Sequence, residues 1–347
     1  MPDFPFEAYH TYELRIVSTL LFIVGLLIYI PIFFLVTYLA LKRSFILGDY
    51  KSYIFYAACV NFFYLLLLVL WIPIPLFPCF AAFSVGWLSV FRSVGGYVMF
   101  TLLVWSLIQI GAGIYIVFIY RVLSVVPKNP IKFNPRLIHF AVELILLFAI
   151  GLTVYYAFVD ENQTIYYFEI YAPSIFYNPR RGDFRGLFVF EPSFVAFVVL
   201  YGFCFLLFGA IVFAIVLTRV SLRYLNRSQV GSQQTFVVRT NLRERRLNKM
   251  LLKLIMYQTW IVVLFLFLPL LAMVVLLLIQ IPYSAQVAQI LISLSSFYPF
   301  VDGVIVIYNI KPYRRFVITL FKKIFKSSGE SHRPRSPGGI SVLSGNF

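Results

Sequence analysis

Two side chains in this sequence sit where an ionisable group is costly. Asp302 lies within the apolar run Gln286–Ile310 and is the only aspartate inside any such run. An acid removed from water is a functional candidate by default, set against the plainer reading of a protonated or hydrogen-bonded packing residue. Arg121 closes the uncharged run Val94–Tyr120. An arginine at mid-bilayer costs ~2.5–3.5 kcal/mol, so it belongs at the boundary, as an anchor or as a switch held against neighbouring helices. His139 and Glu143 share a helix face at i, i+4, but the other two histidines, His10 and His332, lie in opposite tails. They read as a local pair, not as a metal site. A membrane zinc hydrolase needs several intramembrane histidines and a membrane aspartyl protease two aspartates, and the runs here hold one of each. The sequence therefore predicts no enzyme, no metal and no cofactor.

These residues must be positioned by apolar elements. Of 347 residues, 61% are hydrophobic and only 12% charged, more apolar surface than a soluble core requires. The runs fall at 16–41, 53–74, 94–120, 137–159, 193–217, 254–279 and 286–310, each long enough to cross ~30 Å of hydrocarbon as a helix. Backbone groups in lipid need internal partners, which leaves helices for runs of this length. The expectation is an all-α membrane protein, a bundle of seven transmembrane helices. The stretch 75–93, broken by Pro73, Pro75 and Pro78, is read as a packed loop leading into the third helix.

Orientation follows from the basic residues. Alternate connections hold five of the 29 Lys and Arg, and the other side, with the carboxyl-terminal segment, holds twenty-four. The amino terminus is thus expected outside and the carboxyl terminus in the cytosol. With Asp3, Glu7 and Glu13 in place of a basic n-region, the first helix should serve as an uncleaved signal. Asn162-Gln163-Thr164 is a glycosylation sequon on the expected outer face, and the 160–192 loop has no cysteine for a disulfide to helix three. The net charge of +16 gathers in short clusters beside helix ends. That pattern suits anionic lipid, at ~1 kcal/mol per residue, and argues against nucleic acid.

Thr240–Leu268 contains neither Gly nor Pro, so helix six should project into the cytosol with Arg239, Arg243, Arg245 and Arg246, for a protein partner or simply for solvent. Pro269 and Pro299 should hinge helices six and seven. Residues 312–326 read as an interfacial amphipathic helix, with Phe316, Leu320 and Ile324 on one stripe, and 327–347 as a disordered tail. The seven-helix membrane domain is accordingly 1–326.

An ordered set of motifs carries a family resemblance. Pro73-Ile74-Pro75 with Pro78 and Gly86-Trp87-Leu88 follow helix two, and Phe118-Ile119-Tyr120-Arg121 ends helix three. Tyr257-Gln258 and Phe267-Leu268-Pro269 lie in helix six, and Lys311-Pro312-Tyr313-Arg314 closes helix seven. In these the chain resembles the nematode serpentine chemoreceptors of the Str superfamily, class h nearest and class i next. It departs from the usual class h pattern at Ile119-Tyr120, where an acid–Asn pair is common, and at Phe297-Tyr298, where many members have His-Gly.

The resemblance implies a G-protein-coupled chemosensory receptor in the plasma membrane, in the cilia of sensory neurons. Its partners would be a small odorant or pheromone, a heterotrimeric G protein and membrane lipid, with homo- or hetero-oligomers open. Tyr120, Arg121, Arg243, Arg245, Arg246, Asp302 and Tyr308 are the expected coupling and switch residues. Tyr97, Phe100, Trp105, Phe297 and Tyr298 are expected pocket residues, against the plainer reading of packing or lipid contact. The competing readings are a seven-helix ligand-gated channel subunit, which needs the opposite orientation, and a non-signalling heteromer or trafficking partner.

Overall fold

Carbonyls and N–H groups with no water to turn to close their bonds locally, and the apolar runs do so as long helices. The computed structural model describes residues 12–42, 50–77, 79, 81–125, 187–190 and 238–330, with scattered helical positions between 140 and 170 and between 201 and 223. The elements are α1 (Tyr12–Lys42), α2 (Tyr50–Trp71), β1 (Pro73–Pro75), β2 (Ala81–Ser84), α3 (Arg92–Val125), β3 (Phe188–Val189), α4 (Val238–Val262), α5 (Leu268–Ile279), α6 (Ser284–Ser295), α7 (Tyr298–Asn309) and α8 (Lys311–Glu330). Among the described residues, five helical stretches are long and apolar enough to cross a membrane. They match the predicted spans one, two, three, six and seven. The scattered helical positions between 140 and 155 and between 201 and 216 fall inside the predicted spans four and five.

Two predicted spans carry local breaks. The sixth runs α4, a π-helical turn at Val263–Phe267, then α5, with the Leu268 N–H reaching back to the Val263 carbonyl. Pro269 at the start of α5 has no N–H to continue the ladder, and the wider π turn accommodates that loss. The predicted seventh span, 286–310, is two helices, α6 and α7, divided at Ser296-Phe297 just ahead of Pro299. Proline favours the first turn of a helix, so Pro299 opens α7 where a mid-helix kink was expected.

The stretch read as a loop contains a small sheet. β1 pairs antiparallel with β2, and β2 with β3, in the order β1-β2-β3. Chain turning from α2 into β1 puts Ile72 at φ 48, an uncommon value for a β-branched residue. The Gly86 N–H bonds the Trp71 carbonyl at 3.0 Å, and a Cβ at Gly86 would run into the backbone of Leu70 and Trp71. Phe188 of β3 stacks on Trp71 (5.7 Å between ring centres) and meets Tyr97 edge-on (5.5 Å), while the Tyr97 hydroxyl donates to the Val189 carbonyl. No disulfide is needed to hold β3 there. Cys59 is a free thiol.

Two apolar cores stack along the bundle. One, around Leu39, Ile54, Leu254 and Tyr313, joins α1, α2, α4 and α8; the other, around Phe22, Tyr64, Leu266 and Tyr298, lies nearer the sheet. Gly86→Ala is expected to lower stability by about 1–3 kcal/mol, the usual cost of overpacking a filled site. Gly151→Ala, where a Cβ meets nothing within 4 Å among the described residues, should be neutral. Melting curves of the purified variants check both.

Candidate functional site

Asp302, on α7, is 3% exposed, and each of its carboxylate oxygens has a separate donor on a different helix. Asn61 Nδ2 of α2 donates to Oδ2 at 3.0 Å, and Gln258 Nε2 of α4 donates to Oδ1 at 2.9 Å. All three residues are buried. Hydrogen bonds to a charged acceptor are roughly twice as strong as neutral ones, and more so in a low-dielectric interior. One acid therefore ties three helices together.

Beside this tie lies a cavity with about 40 Å³ of room for water-sized occupants. Its wall includes Asp302, Asn61, Gln258, Gln109, Tyr53, Tyr56 and Tyr298. The Tyr56 hydroxyl donates to Gln109 Oε1 at 2.6 Å, linking α2 to α3. Nearer the sheet the Tyr64 hydroxyl and Ser295 Oγ share a hydrogen bond at 2.7 Å. The volume suits a few ordered waters, well below the ~300 Å³ typical of pockets for small organic ligands. Chemically this is a polar joint between helices.

The expected pocket residues do not gather in one place. Tyr97 and Phe100 join the aromatic cluster of Trp71, Phe188 and Phe190 at the sheet end. Trp105 sits edge-on to Phe63 at 6.0 Å. Phe297 caps the break before α7, and Tyr298 faces the polar cavity beside Asp302. Of the expected switch residues, Asp302 is fully integrated, and Tyr308 lies under the Arg314 guanidinium, 5.6 Å from ring centre to Cζ. Tyr120 and Arg121 lie on α3, and Arg243, Arg245 and Arg246 on α4; for these five only the helical backbone is described. Asn162, His139 and Glu143 lie outside the described residues. In the Pro312-Tyr313-Arg314 motif, Tyr313 is wholly buried in the core and Pro312 is exposed, so the motif seats α8. That helix runs Lys311–Glu330, slightly longer than the predicted 312–326.

Asn61 escaped the sequence reading altogether. Its signal was present, as the only asparagine in the 53–74 run, where a carboxamide needs a partner. Gln258 was noticed for its motif, not for its chemistry.

Membrane-crossing helices joined by one buried acid define a multi-pass helical membrane protein. The chain belongs to the serpentine type 7TM GPCR chemoreceptor Srh family, whose model matches residues 13–323. Srh is a nematode serpentine family of the Str superfamily, so the class h resemblance holds. It is a family of chemoreceptors, not of enzymes. No curated protein matches the chain.

Removing one amide from the tie should cost more than removing the acid with it. Asn61→Leu or Gln258→Leu leaves a buried carboxylate oxygen without its donor, an expected loss of about 1–3 kcal/mol. Adding Asp302→Leu to the pair should recover much of that stability, since a buried polar group is expensive chiefly when half-satisfied. A double-mutant cycle read by thermal melting measures the coupling.

Proposed function

We propose that this chain is a G-protein-coupled chemosensory receptor of the plasma membrane, with its amino terminus outside and its α8 end in the cytosol. A small odorant or pheromone binds between the helices on the sheet side, and a heterotrimeric G protein binds at the α8 end. The receptor domain is residues 1–326, followed by the tail 327–347.

The observation that carries this reading is the three-helix tie at Asp302. A receptor needs an element with two discrete arrangements whose balance the ligand shifts. Gln258 stands on α4, below the π turn at Val263–Phe267 and above the basic stretch containing Arg243, Arg245 and Arg246. At 1.5 Å per residue those arginines lie about 18–22 Å along the helix from Gln258. The π turn lets the two ends of this rod swing independently. On the α3 side, Phe267 rests against Gly111, where a Cβ would come within 3.2 Å of its ring. A ligand that shifts α5 at the sheet end would tilt α4, strain the Gln258–Asp302 bond and move the basic end of the rod away from α3. Arg121, near the end of α3, then contributes to the surface that receives the G protein. The 24-to-5 distribution of basic residues supports the orientation.

Two measurements test the proposal. Epitope tags placed before Asp3 and after Ser232 should stain, respectively, in intact cells and only after permeabilisation. The opposite pattern would reverse the orientation and favour the channel reading. In membranes with added heterotrimeric G protein, Arg121→Ala should abolish receptor-stimulated nucleotide exchange at unchanged surface expression. Exchange equal to that of the unaltered chain would remove Arg121 from the coupling surface.

A further inference from the structure

Among the described residues a few buried polar groups have no hydrogen-bond partner, and apart from the Thr37 hydroxyl towards the α8 end they lie on the sheet side of Asp302. Gln289 on α6 is 2% exposed, yet neither its Nε2 nor its Oε1 has a partner among the described residues. The same holds for the indole Nε1 of Trp71 on α2 and for the hydroxyls of Ser18 on α1 and Ser284 on α6.

Helix register brings three of these groups to one level. Gly25 of α1 faces Ser296, where an added Cβ would lie 3.7 Å from its oxygens, and Gly303 faces Ile32. Both contacts advance by seven residues, so α1 and α6–α7 run parallel, and seven residues back places Ser18 opposite Gln289. The Tyr64–Ser295 hydrogen bond fixes α2 against α6 in the antiparallel sense. Seven residues on from Tyr64 is Trp71, and seven back from Ser295 is Ala288, beside Gln289. All three groups therefore lie about 10 Å towards the sheet from the Tyr64–Ser295–Gly25 layer. β1, which follows Trp71 after the single residue Ile72, packs on α6 and closes this level from above.

A serine hydroxyl in a helix can turn to the carbonyl four residues earlier, as Ser293 does with Gln289. A glutamine amide and an indole N–H have no such recourse. They are donors and an acceptor, buried and without a partner among the described residues.

We propose that Gln289 and Trp71, with Ser18 beside them, form the hydrogen-bonding end of the ligand site. The ligand they fit is a small uncharged molecule bearing a carboxamide-like group. Its carbonyl oxygen accepts from Trp71 Nε1 and Gln289 Nε2, and its N–H donates to Gln289 Oε1. Segments 16–41, 52–90 and 284–301 around the site hold no charged side chain, with Arg15, one turn beyond Ser18, and Arg92 at their borders. The apolar remainder of the ligand lies against Phe188, which already stacks on Trp71. Phe188 is also the element that must yield, and β3 is held by a two-residue pairing to β2 and the Tyr97 hydroxyl. This inference deepens the receptor reading and rests on it for its meaning, though not for its test.

The test uses the full chain in lipid nanodiscs, with hexanamide, hexanal and hexane as probes of equal chain length and melting temperature as the readout. Hexanamide should raise the melting temperature most, hexanal less and hexane not at all. Gln289→Leu should melt at or above the unaltered chain, because it replaces an unpaired buried amide with an apolar group of similar size. Its apparent affinity for hexanamide should fall by roughly tenfold to a hundredfold, the loss of one or two hydrogen bonds. Trp71→Phe keeps the ring stacked on Phe188, removes only the N–H and should weaken hexanamide by a smaller factor. A Gln289→Leu chain that melts several degrees lower would make the amide structural and overturn the proposal. So would unchanged hexanamide binding in that variant, an equal effect of hexane, or no effect of hexanamide on the unaltered chain. Each of these outcomes leaves the tag and nucleotide-exchange results standing, so the site can fail while the receptor survives.

Discussion

A carboxylate inside a membrane-spanning helix has to find its solvation in the protein, and in this fold that requirement fixes the arrangement of three helices. Asp302 accepts one amide N–H from α2 and one from α4. Neither bond is local in sequence, so the acid is satisfied only when all three helices stand in one register. An apolar side chain at 302 would leave those helices free to slide through many nearly equivalent packings, since lipid and leucine are alike in apolarity. The polar tie selects one packing, and the surrounding aromatic and aliphatic contacts fill in around it.

The two ends of the bundle solve different problems. At the α8 end, Tyr313 sits wholly within an aliphatic core shared by α1, α2 and α4, anchoring a helix whose opposite face is basic. At the sheet end the chain has no disulfide to hold the segment that returns over the bundle. Backbone pairing of β3 to β2, a tyrosine hydroxyl and stacked rings take its place. Such contacts are individually modest and separable, whereas a covalent bridge is not. A segment held this way can part from the bundle without cleaving a bond.

How much of this was legible in the sequence depended on the kind of physics involved. Span number and approximate limits came from the length of apolar runs, because hydrocarbon thickness is a hard constraint. Asp302 stood out because an acid in such a run is rare. The small sheet was hidden, since Pro73 and Pro75 argue against a strand and a three-residue strand has no periodicity to detect. The pairing of Asp302 with Asn61 and Gln258 was hidden for a different reason. It joins positions 241 and 44 residues apart, and no local pattern encodes which distant amide meets which acid. The expected aromatic pocket failed to assemble as a unit because rings in a chain that is 19% aromatic mostly serve packing. Neither residue type nor span says which ring faces inward.

The contrast between satisfied and unsatisfied polar groups then becomes informative. Side chains that only maintain the fold are expected to be paired in the empty protein, because an unmade buried hydrogen bond is a standing cost. The Asp302 tie, Tyr56–Gln109 and Tyr64–Ser295 all meet that expectation. Gln289 and Trp71 have no such partner among the described residues, and they lie on the same helices, one layer nearer the sheet. A pure folding requirement would favour leucine and phenylalanine at those two positions. Groups kept polar at a cost to the empty state are intelligible if another state supplies their partners. In a receptor, the molecule that supplies them also shifts the balance between states, because it can bind only where the layer opens to admit it.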